Sequence, residues 1–309
     1  MSCKSDYPYK LKKNNFSFNK NDKTGLINNS LVILLITMII IFNKNKQNKN
    51  YLYISLLTLF ILIIRIYKKP IEVIYMMSSL ITLVTRTPEF LDKNKYFPNN
   101  YLFEKPENFQ ILKKEVVDVL SKTDNGDSLV MTYDTYSGEN KYIGSDKIND
   151  NGKIKAWRLI NIKVGKEYTK DAYNHFPFLV KLLEDIPEVC SCVISVLQEG
   201  VRIPIHNGYY KGIMRYMIPL IVPKDRENVF LCVNEKKYNW TEGEGVLWDD
   251  NYPHKVYNNT KEIRVVIYMD VIRPLCGVAN YLNKQFLNLI SNTKIVKDEI
   301  RKTEIQIKI

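Results

Sequence analysis

The sequence has little cysteine, and its five cysteines form no pattern. They are Cys3, Cys190, Cys192, Cys232 and Cys276, an odd number with one close pair. A structural zinc site needs four ligands in paired spacings, which this chain does not supply. Residues two apart on a strand share a face, so Cys190 and Cys192 are expected to pack as small apolar side chains. We therefore predict reduced, unpaired cysteines.

Acidic residues are also in short supply, with 33 Asp and Glu against 45 Lys and Arg. The excess of basic residues is concentrated in residues 1–90, which carry 13 Lys and Arg and 4 Asp and Glu. A basic excess around apolar runs favours contact with anionic lipid headgroups over nucleic-acid binding. We predict no nucleic-acid partner, although codon usage alone also explains a chain rich in Lys and Asn.

Two apolar runs, 26–42 and 51–67, are separated by the polar stretch "NKNKQNKN". Each is close to the minimum of about 17 residues for a membrane-spanning helix. They predict a helical hairpin in a bilayer, behind a polar tail over 1–25 and within a membrane-associated region over 26–90. A third run, 71–85, is expected to lie along the interface or pack on the following domain. The alternative is that these runs are buried core helices.

A hairpin places the N-terminus and the following domain on one side of the membrane. Basic residues flank both runs about equally, so they do not decide which side. The sequence has glycosylation motifs at Asn239 and Asn258, and a glycan on Asn258 would hinder a large substrate near His254. Unpaired cysteines suit a reducing compartment. We predict a multi-pass membrane protein with its large domain on the cytosolic side.

From residue 91 onward the pattern becomes that of a folded domain. Helical spacing of apolar residues appears over 107–121, and a short helix is indicated over 176–187, whereas 123–151 is expected to be a long loop. Short β-branched and aromatic runs then alternate with turn residues, which is typical of a sandwich or barrel. Helical spacing returns from residue 276 to the C-terminus. We predict a mainly β, α+β domain over 91–275 and a helical segment over 276–309.

The chain has three histidines, and two of them lie in polar stretches between strand-like runs. "HNGYYKGIMR" begins at His206, and "DDNYPH" ends at His254, 48 residues later. Two histidines on neighbouring strands can converge on one metal ion. Iron oxygenases usually add an acid two residues after the first histidine, where this chain has Gly208. On spacing alone, both histidines are more often ordinary surface or core residues.

Two arginines lie in strand-like, apolar surroundings. Arg264 follows His254 by ten residues, at the start of the last strand-like run, and Arg215 lies within "GIMRYMIPL". A guanidinium facing an apolar interior needs an anionic partner. A dicarboxylate held by two parallel hydrogen bonds would suit Arg264. The alternative for Arg264 is a surface ion pair with Glu262.

The stretches "SVLQEGVRIPIHNG", "MRYMIPLIVP", "NWTEGEGVLWDDNYPHKVYNNT" and "EIRVVIYMDVIRPL" resemble the aspartyl/asparaginyl β-hydroxylase family of Fe(II)/2-oxoglutarate dioxygenases. The resemblance extends from about residue 157 to 275. The "W-x-E-G" and "D-x-x-R-P" pieces are most similar to a membrane-associated branch that hydroxylates lipid A acyl chains. It implies a double-stranded β-helix, or jelly roll, that uses Fe(II), 2-oxoglutarate and dioxygen.

Carried over by motif, the resemblance implies that His206 and His254 are the iron ligands. It implies that Arg264 binds the distal carboxylate of 2-oxoglutarate, that Ser195 contacts the same cosubstrate, and that Arg215 belongs to the carboxylate pocket. Asp249 or Asp250, just before His254, is a candidate to hydrogen-bond a water at the metal or His254, or only shapes the turn.

Two positions depart from the family pattern. Gly208 stands where the lipid-modifying branch has an acid, although the animal enzyme that modifies proteins also has glycine. Met217 stands where the family has a histidine, and methionine cannot donate a hydrogen bond to a carboxylate. The resemblance thus implies hydroxylation of an Asp or Asn side chain or of a lipid acyl chain. The alternatives are a non-catalytic member that binds metal or 2-oxoglutarate, and a membrane-tethered interaction protein.

Overall fold

The structure is a computed structural model that describes residues 3, 70–123, 144–148, 154–294, 296–298 and 307. The chain divides into two compact units. One comprises Met1–Ser5, Arg86–Gly208 and Gly212–Ile309, and the other comprises Asp6–Thr85 and Tyr209–Lys211. All of the candidate site residues belong to the first unit.

Helices and strands are about equally represented in the described residues, and all strand pairs are antiparallel. The helices are α1 Pro70–Val84, α2 Lys93–Tyr96, α3 Tyr101–Glu104, α4 Pro106–Lys122, α5 Lys170–His175, α6 Pro177–Glu184 and α7 Gly277–Ser291. The strands are β1 Phe90–Leu91, β2 Gly144–Ile148, β3 Ile154–Val164, β4 Glu167–Tyr168, β5 Val189–Leu197, β6 Arg202–His206, β7 Ile213–Ile221, β8 Val229–Val233, β9 Lys236–Asn239, β10 Val246–Trp248, β11 His254–Asn258 and β12 Arg264–Ile272.

The strands form two sheets. The large sheet has the order β1-β10-β7-β12-β5-β3-β2, with β4 paired to β3, and the small sheet has the order β6-β11-β8-β9. Strands that are neighbours in sequence therefore often lie in different sheets. This arrangement brings the end of β6 and the start of β11 together in the small sheet, where His254 pairs with His206.

The two faces of the large sheet enter different cores, because successive residues of a strand point to opposite faces. On β12, Val265 and Ile267 pack in a core with the helices, whereas Val266 belongs to a second core. We call this second core the inter-sheet core, since it also contains residues of the small sheet. Its buried members are Leu197, Val201, Ile203, Met217, Val229, Leu231, Val233, Trp240, Val246, Trp248, Val256 and Val266.

The helices cover the outer face of the large sheet. Phe109, Leu112 and Val116 of α4 recur at helical spacing and are buried in the same core as β12. The adjacent α6 begins at Pro177 and has no side-chain cap of its own. Its first free N–H groups are bound instead by Glu115 of α4, which accepts from Phe178 at 2.7 Å and from Leu179 at 3.3 Å.

The predicted elements are confirmed in most of the domain. The helices predicted over 107–121 and 176–187 correspond to α4 and α6, and the predicted α+β class is confirmed. "Mainly β" overstates the strand content. The expected loop over 123–151 is wrong in part, because Gly144–Ile148 pairs with β3 as an edge strand. This polar segment shows no strand pattern, because its pairing with β3 is set by tertiary contacts.

The prediction of a multi-pass membrane protein is contradicted. Across the ranges that the structure describes, no helix has the length and apolarity to cross a bilayer. The candidate spans 26–42 and 51–67 lie outside the described residues.

The prediction of unpaired cysteines is wrong for one pair. Cys3 and Cys232 form a disulfide whose Cα atoms are 5.9 Å apart, across a sequence separation of 229 residues. No spacing rule pairs cysteines so far apart, because their approach depends on the fold. Cys190, Cys192 and Cys276 are free. The cysteine argument for a reducing compartment therefore no longer holds.

The glycosylation motif at Asn258 lies in the interior of the domain. Asn258 is fully buried, and its side-chain amide donates to the carbonyl oxygens of Leu197, Gln198 and Glu262 at 2.8 to 3.1 Å. The Thr260 hydroxyl donates to the Asn258 side-chain oxygen at 2.7 Å. This asparagine ties β11 to the ends of β5 and β12 and is not accessible for modification in the folded protein.

In the second unit, the described residues are those of α1 and the short segment Tyr209–Lys211. The Ser78 hydroxyl of α1 accepts a hydrogen bond from the Lys211 N–H at 2.9 Å, and Tyr75 meets Tyr209 edge to face at 6.0 Å between centroids. Helix α1 corresponds to the third apolar run of the sequence.

Candidate active site

Two histidines meet across the β6–β11 strand pair. His206 ends β6, His254 begins β11, and their Cα atoms are register partners. The ring centroids are 4.0 Å apart at an interplanar angle of 58°. His254 is buried, and His206 is partly exposed. A separation of 48 residues in sequence thus becomes direct contact in the fold.

The orientation of the His254 ring is set by its neighbours. Its Nδ1 lies 2.9 Å from the carbonyl oxygen of Tyr252. A carbonyl oxygen can only accept, so Nδ1 carries the proton and Nε2 keeps its lone pair. Burial, and then the neighbouring His206, lowers the pKa of His254 well below its ordinary value. The imidazole is therefore neutral near pH 7, which is the form that binds metal ions.

The donor set suits a metal held by two imidazoles. Within the described part of the chain, no group of three or more His, Cys, Asp or Glu side chains converges as a metal site. A neutral His254, with its Nδ1 proton donated to a backbone carbonyl, has the arrangement usual for a metal-ligating histidine. His206 and His254 are accordingly the residues that could hold a metal ion.

Gly208, two residues after His206, is packed directly against Asp250. A Cβ on residue 208 would lie 2.4 Å from the Asp250 carboxylate, closer than real Cβ contacts come. The backbone N–H of Gly208 also donates to the Asp250 carbonyl oxygen at 2.6 Å. Only glycine fits here while Asp250 keeps its position. The carboxylate of Asp250 therefore occupies the space where a side chain on residue 208 would begin.

Arg215 finds its anionic partners within the chain. Its Nε and Nη2 donate to Asp270 Oδ1 at 3.0 and 2.9 Å, and its Nη2 lies 3.2 Å from Asp250 Oδ2. The guanidinium also lies 4.7 Å from the centroid of the Tyr268 ring. Burial alone would lower the pKa of Arg215, but Asp270 and Asp250 raise it above its ordinary value. Burial raises the pKa of Asp250 to about 6, although Arg215 opposes this.

Asp249 and Asp250 have different partners, although they are adjacent. Asp249 is fully buried and pairs with Arg273 at 3.0 Å, and the Thr87 hydroxyl donates to it at 2.8 Å. Arg273 in turn donates to Thr87 at 3.0 Å. These bonds tie the β10–β11 turn to the segment before β1 and to the end of β12. Of the two acids, Asp250 is the one beside Gly208 and the histidine strands.

Arg264 is buried with very few partners. It is 1% exposed, and its Nη2 donates to the Ser195 hydroxyl at 3.1 Å across the β12–β5 pair. The Trp157 indole donates to the same hydroxyl at 2.8 Å. Two donors fill both lone pairs of the Ser195 oxygen, so its own proton is left to donate elsewhere.

The remaining donors of Arg264 have no acceptor among the described residues. Its Nε and Nη1 are buried and unpartnered there, and burial lowers the pKa of the guanidinium to about 9. The alternative ion pair with Glu262 is not formed, because the Glu262 carboxylate accepts from the Lys224 N–H at 2.7 Å. A buried cation with free N–H groups beside a serine hydroxyl fits a bound carboxylate.

Sequence reasoning missed the tryptophans of the site and the partners of its arginines. The chain has three tryptophans, and all of them belong to the inter-sheet core or pack against it. The Trp240 ring lies 5.4 Å from the Arg264 guanidinium, and Trp248 meets His254 edge to face at 4.7 Å. The sequence signal that could have identified them was the scarcity of tryptophan and the position of Trp240 and Trp248 inside one motif stretch.

The chain is similar to known proteins in the region that contains the candidate site. The family model described as aspartyl/asparaginyl beta-hydroxylase matches residues 106–274, which is more than half of the chain. The chain belongs to the aspartyl/asparaginyl β-hydroxylase family. The matched range includes both histidines and both arginines of the site.

Two curated relatives have related but different activities. An ornithine lipid ester-linked acyl 2-hydroxylase of Rhizobium tropici is 31% identical over 116 residues, which cover 38% of this chain and 41% of that enzyme. The aspartyl/asparaginyl beta-hydroxylase of Homo sapiens is 29% identical over 110 residues, which cover 34% of this chain and 14% of that enzyme. The chain thus spans less than half the length of either relative.

Likeness to solved structures is weak. A predicted oxalate decarboxylase of Thermotoga maritima shares 11% identity at a TM-score of 0.26. The superposition covers 43% of this chain and 94% of that protein's chain. The DMSP lyase DddQ of Ruegeria pomeroyi shares 9% identity at a TM-score of 0.22, covering 27% of this chain and 39% of its own. Scores this low carry no argument about fold or activity.

Proposed function

We propose that the protein is an Fe(II)- and 2-oxoglutarate-dependent hydroxylase that acts on an unactivated C–H bond. The observation that carries this proposal is the combination of two features bordering one core. A pair of contacting histidines lies beside Trp248, and a buried, largely unpaired arginine lies beside Trp240. The first suits a metal ion, and the second suits a carboxylate.

His206 and His254 would hold the iron, and Arg264 with Ser195 would hold the distal carboxylate of 2-oxoglutarate. The free Nε–H and Nη1–H of Arg264 and the spare hydroxyl proton of Ser195 supply donors for it. Bound Fe(II), with 2-oxoglutarate and dioxygen, supplies the oxidising power that replaces C–H by C–OH. The chain's own residues orient the two reactants and exclude water from the inter-sheet core.

Arg215 and Asp250 would complete the site. Arg215 has five N–H groups, of which Nε and Nη2 are used by Asp270 and Asp250. Donors therefore remain for the second carboxylate of the cosubstrate. Arg215 holds the Asp250 carboxylate next to Gly208. From there Asp250 would hydrogen-bond His254 or a water, on the side where other iron oxygenases have their acidic ligand.

The sheet orders support a double-stranded β-helix. From β5 to β12 the strands are assigned in turn to the large, small, large, small, small, large, small and large sheets. Alternation of successive strands between two facing sheets is the arrangement of a jelly roll. We propose that β5 to β12 form the catalytic barrel, with the histidines on its small sheet.

We propose that the substrate is either a protein Asp or Asn side chain or an acyl chain of a lipid. The Rhizobium relative supports the lipid, and the human relative supports the protein. Mass spectrometry of lipids and proteins from cells with and without the active chain would identify the class that gains an oxygen atom.

Succinate formation tests the activity itself. The purified protein with Fe(II), 2-oxoglutarate and substrate extract should release succinate, and His206→Ala and His254→Ala should each abolish it. His175→Ala is the matched control, because His175 lies in α5, outside the candidate site, and is the only other histidine. Near-normal turnover in either ligand variant would remove the metal assignment. Binding of 2-oxoglutarate without succinate would instead indicate a non-catalytic family member, the alternative that Met217 favours.

A further inference from the structure

Trp248 has an indole N–H that the fold leaves without a partner, beside the histidine pair. The residue is 2% exposed, and its Nε1 finds no acceptor among the described residues. Buried donors are almost always hydrogen-bonded, because leaving one unpaired costs about 1–3 kcal/mol. The ring meets His254 edge to face at 4.7 Å between centroids. The unpaired donor therefore belongs to a ring in contact with a candidate metal ligand.

The strand register places Trp248 on the wall that faces the site. Its Cα pairs with that of Arg215, and the Cα of Val246 pairs with that of Met217. Cross-strand partners and residues two apart on a strand share a face. Trp248, Arg215 and Met217 therefore project to the same side of the large sheet, and Trp248 and Met217 both join the inter-sheet core.

Met217 cannot serve a polar ligand on this wall. It is 6% exposed, its register partners are Val246 and Tyr268, and a thioether has no proton to donate. The unpartnered groups around the inter-sheet core are Trp240 Nε1, Trp248 Nε1, and Arg264 Nε and Nη1, as far as the described residues show. All four are donors, so a ligand that satisfies them must be rich in acceptors.

We propose that Trp248 is a ligand-binding residue whose indole N–H donates to an oxygen of the carboxylate-bearing ligand at the histidine end of the site. It thereby supplies, from the neighbouring strand, the neutral donor that Met217 lacks. Arg264 and Ser195 hold the opposite end. The inference rests on the proposed function, because it takes 2-oxoglutarate as the ligand with two acceptor ends.

The three tryptophans allow a direct test by NMR. A ¹⁵N-labelled full chain has three indole N–H signals, which Trp157→Phe, Trp240→Phe and Trp248→Phe assign. The probe is 2-oxoglutarate with Zn(II), which is diamagnetic and redox-inert. Trp157 already donates to Ser195, whereas Trp240 lies beside the Arg264 guanidinium. The Trp240 signal therefore reports occupancy of the arginine end, and the Trp248 signal reports the proposed bond.

We expect the Trp240 signal to move on titration and the Trp248 signal to move downfield with the same saturation curve. Trp248→Phe keeps an aromatic ring against His254 but removes the indole N–H together with part of the ring system. It should weaken 2-oxoglutarate binding about fivefold, the effect of one neutral hydrogen bond, with Zn(II) binding unchanged.

Other outcomes separate the inference from the proposed function. If the Trp240 signal moves, the Trp248 signal stays, and Trp248→Phe binds 2-oxoglutarate normally, the inference is overturned and the proposed function stands. If 2-oxoglutarate moves neither signal and calorimetry detects no binding to the Zn(II)-loaded chain, both are overturned. Loss of Zn(II) binding in Trp248→Phe would show that the ring only positions His254 and would also overturn the inference.

Discussion

Arg264 is the side chain whose chemistry the structure leaves most open. Its buried Nε and Nη1 have no acceptor among the described residues, so a ligand carboxylate is the partner that relieves the burial. Arg264→Lys keeps the positive charge but loses the fork that binds two oxygens. We expect the KM for 2-oxoglutarate to rise about tenfold or more, since a charge-assisted hydrogen bond is worth about 1.5–3 kcal/mol.

Steady-state kinetics of succinate release measures this effect, with iron affinity as a second readout that should not change. Arg202→Lys is the control, because Arg202 is an exposed arginine that donates to Asn259 on the outside of the small sheet. An unchanged KM in Arg264→Lys would detach this arginine from the cosubstrate.

A side chain on residue 208 would overlap the Asp250 carboxylate, so we expect substitutions at the two positions to compensate for each other. Gly208→Asp restores an acid two residues after His206, but its Cβ would collide with the Asp250 carboxylate. Displacing groups at a reacting centre by about 1 Å costs on the order of 100-fold in rate, so we expect a fall of about 10- to 100-fold.

Asp250→Gly in the same chain removes the collision and should recover part of the succinate release. Gly208→Ala, which introduces the Cβ without the charge, separates the steric part from the repulsion between two carboxylates. Higher turnover in Gly208→Asp alone than in the wild type would show that the glycine is a defect of this chain.

Helix α6 depends on a carboxylate from another helix. Because Phe176 offers no side-chain cap, Glu115 of α4 accepts the N–H groups of Phe178 and Leu179. Burial raises the pKa of Glu115, and these two hydrogen bonds act against that rise. Glu115→Ala should lower the free energy of unfolding by about 1–2 kcal/mol, the usual effect of losing an N-terminal cap.

Chemical denaturation measures that loss, and Asp118→Ala on the exposed side of α4 is the matched control. Equal stability of the two variants would show that solvent replaces the Glu115 contacts. Sequence patterns identified α4 and α6 correctly, since apolar periodicity marks a helix. The cap came from a residue over 60 positions away, which local pattern cannot show.

The disulfide joins the start of the chain to the small sheet. Cys3 and Cys232 pack with Phe230 and Tyr257 in a small core of their own. A bridge that closes so long a loop typically contributes about 2–4 kcal/mol to stability. Replacing both Cys3 and Cys232 by Ser should lower the free energy of unfolding by that amount, while Cys276→Ser, at an exposed free cysteine, should not.

Peptide mapping under non-reducing conditions checks the pairing directly, and denaturation of the variants checks its contribution. A Cys3–Cys232 peptide absent from oxidised protein would contradict the bridge. Equal stability of the double Ser variant and the wild type would show that the bridge adds nothing to the fold.

The sequence by itself determined the elements and the chemical candidates. Alternating β-branched runs predicted the strands, because strand periodicity is local, and the motif stretches around His206 and His254 carried the family resemblance. The alternation of side chains along β12 also predicted that Arg264 faces the interior of the domain. These features depend on residues that are close together in the chain, so the local sequence pattern reveals them.

Only the tertiary structure decided which groups meet. It paired Arg215 with Asp270 and Asp250, separated Asp249 from the site by binding it to Arg273, and placed Trp248 against His254. It also seated the Asp250 carboxylate where a side chain on residue 208 would begin. These contacts join strands that are distant in sequence, and their register is set by the packing of both sheets, which no local pattern records.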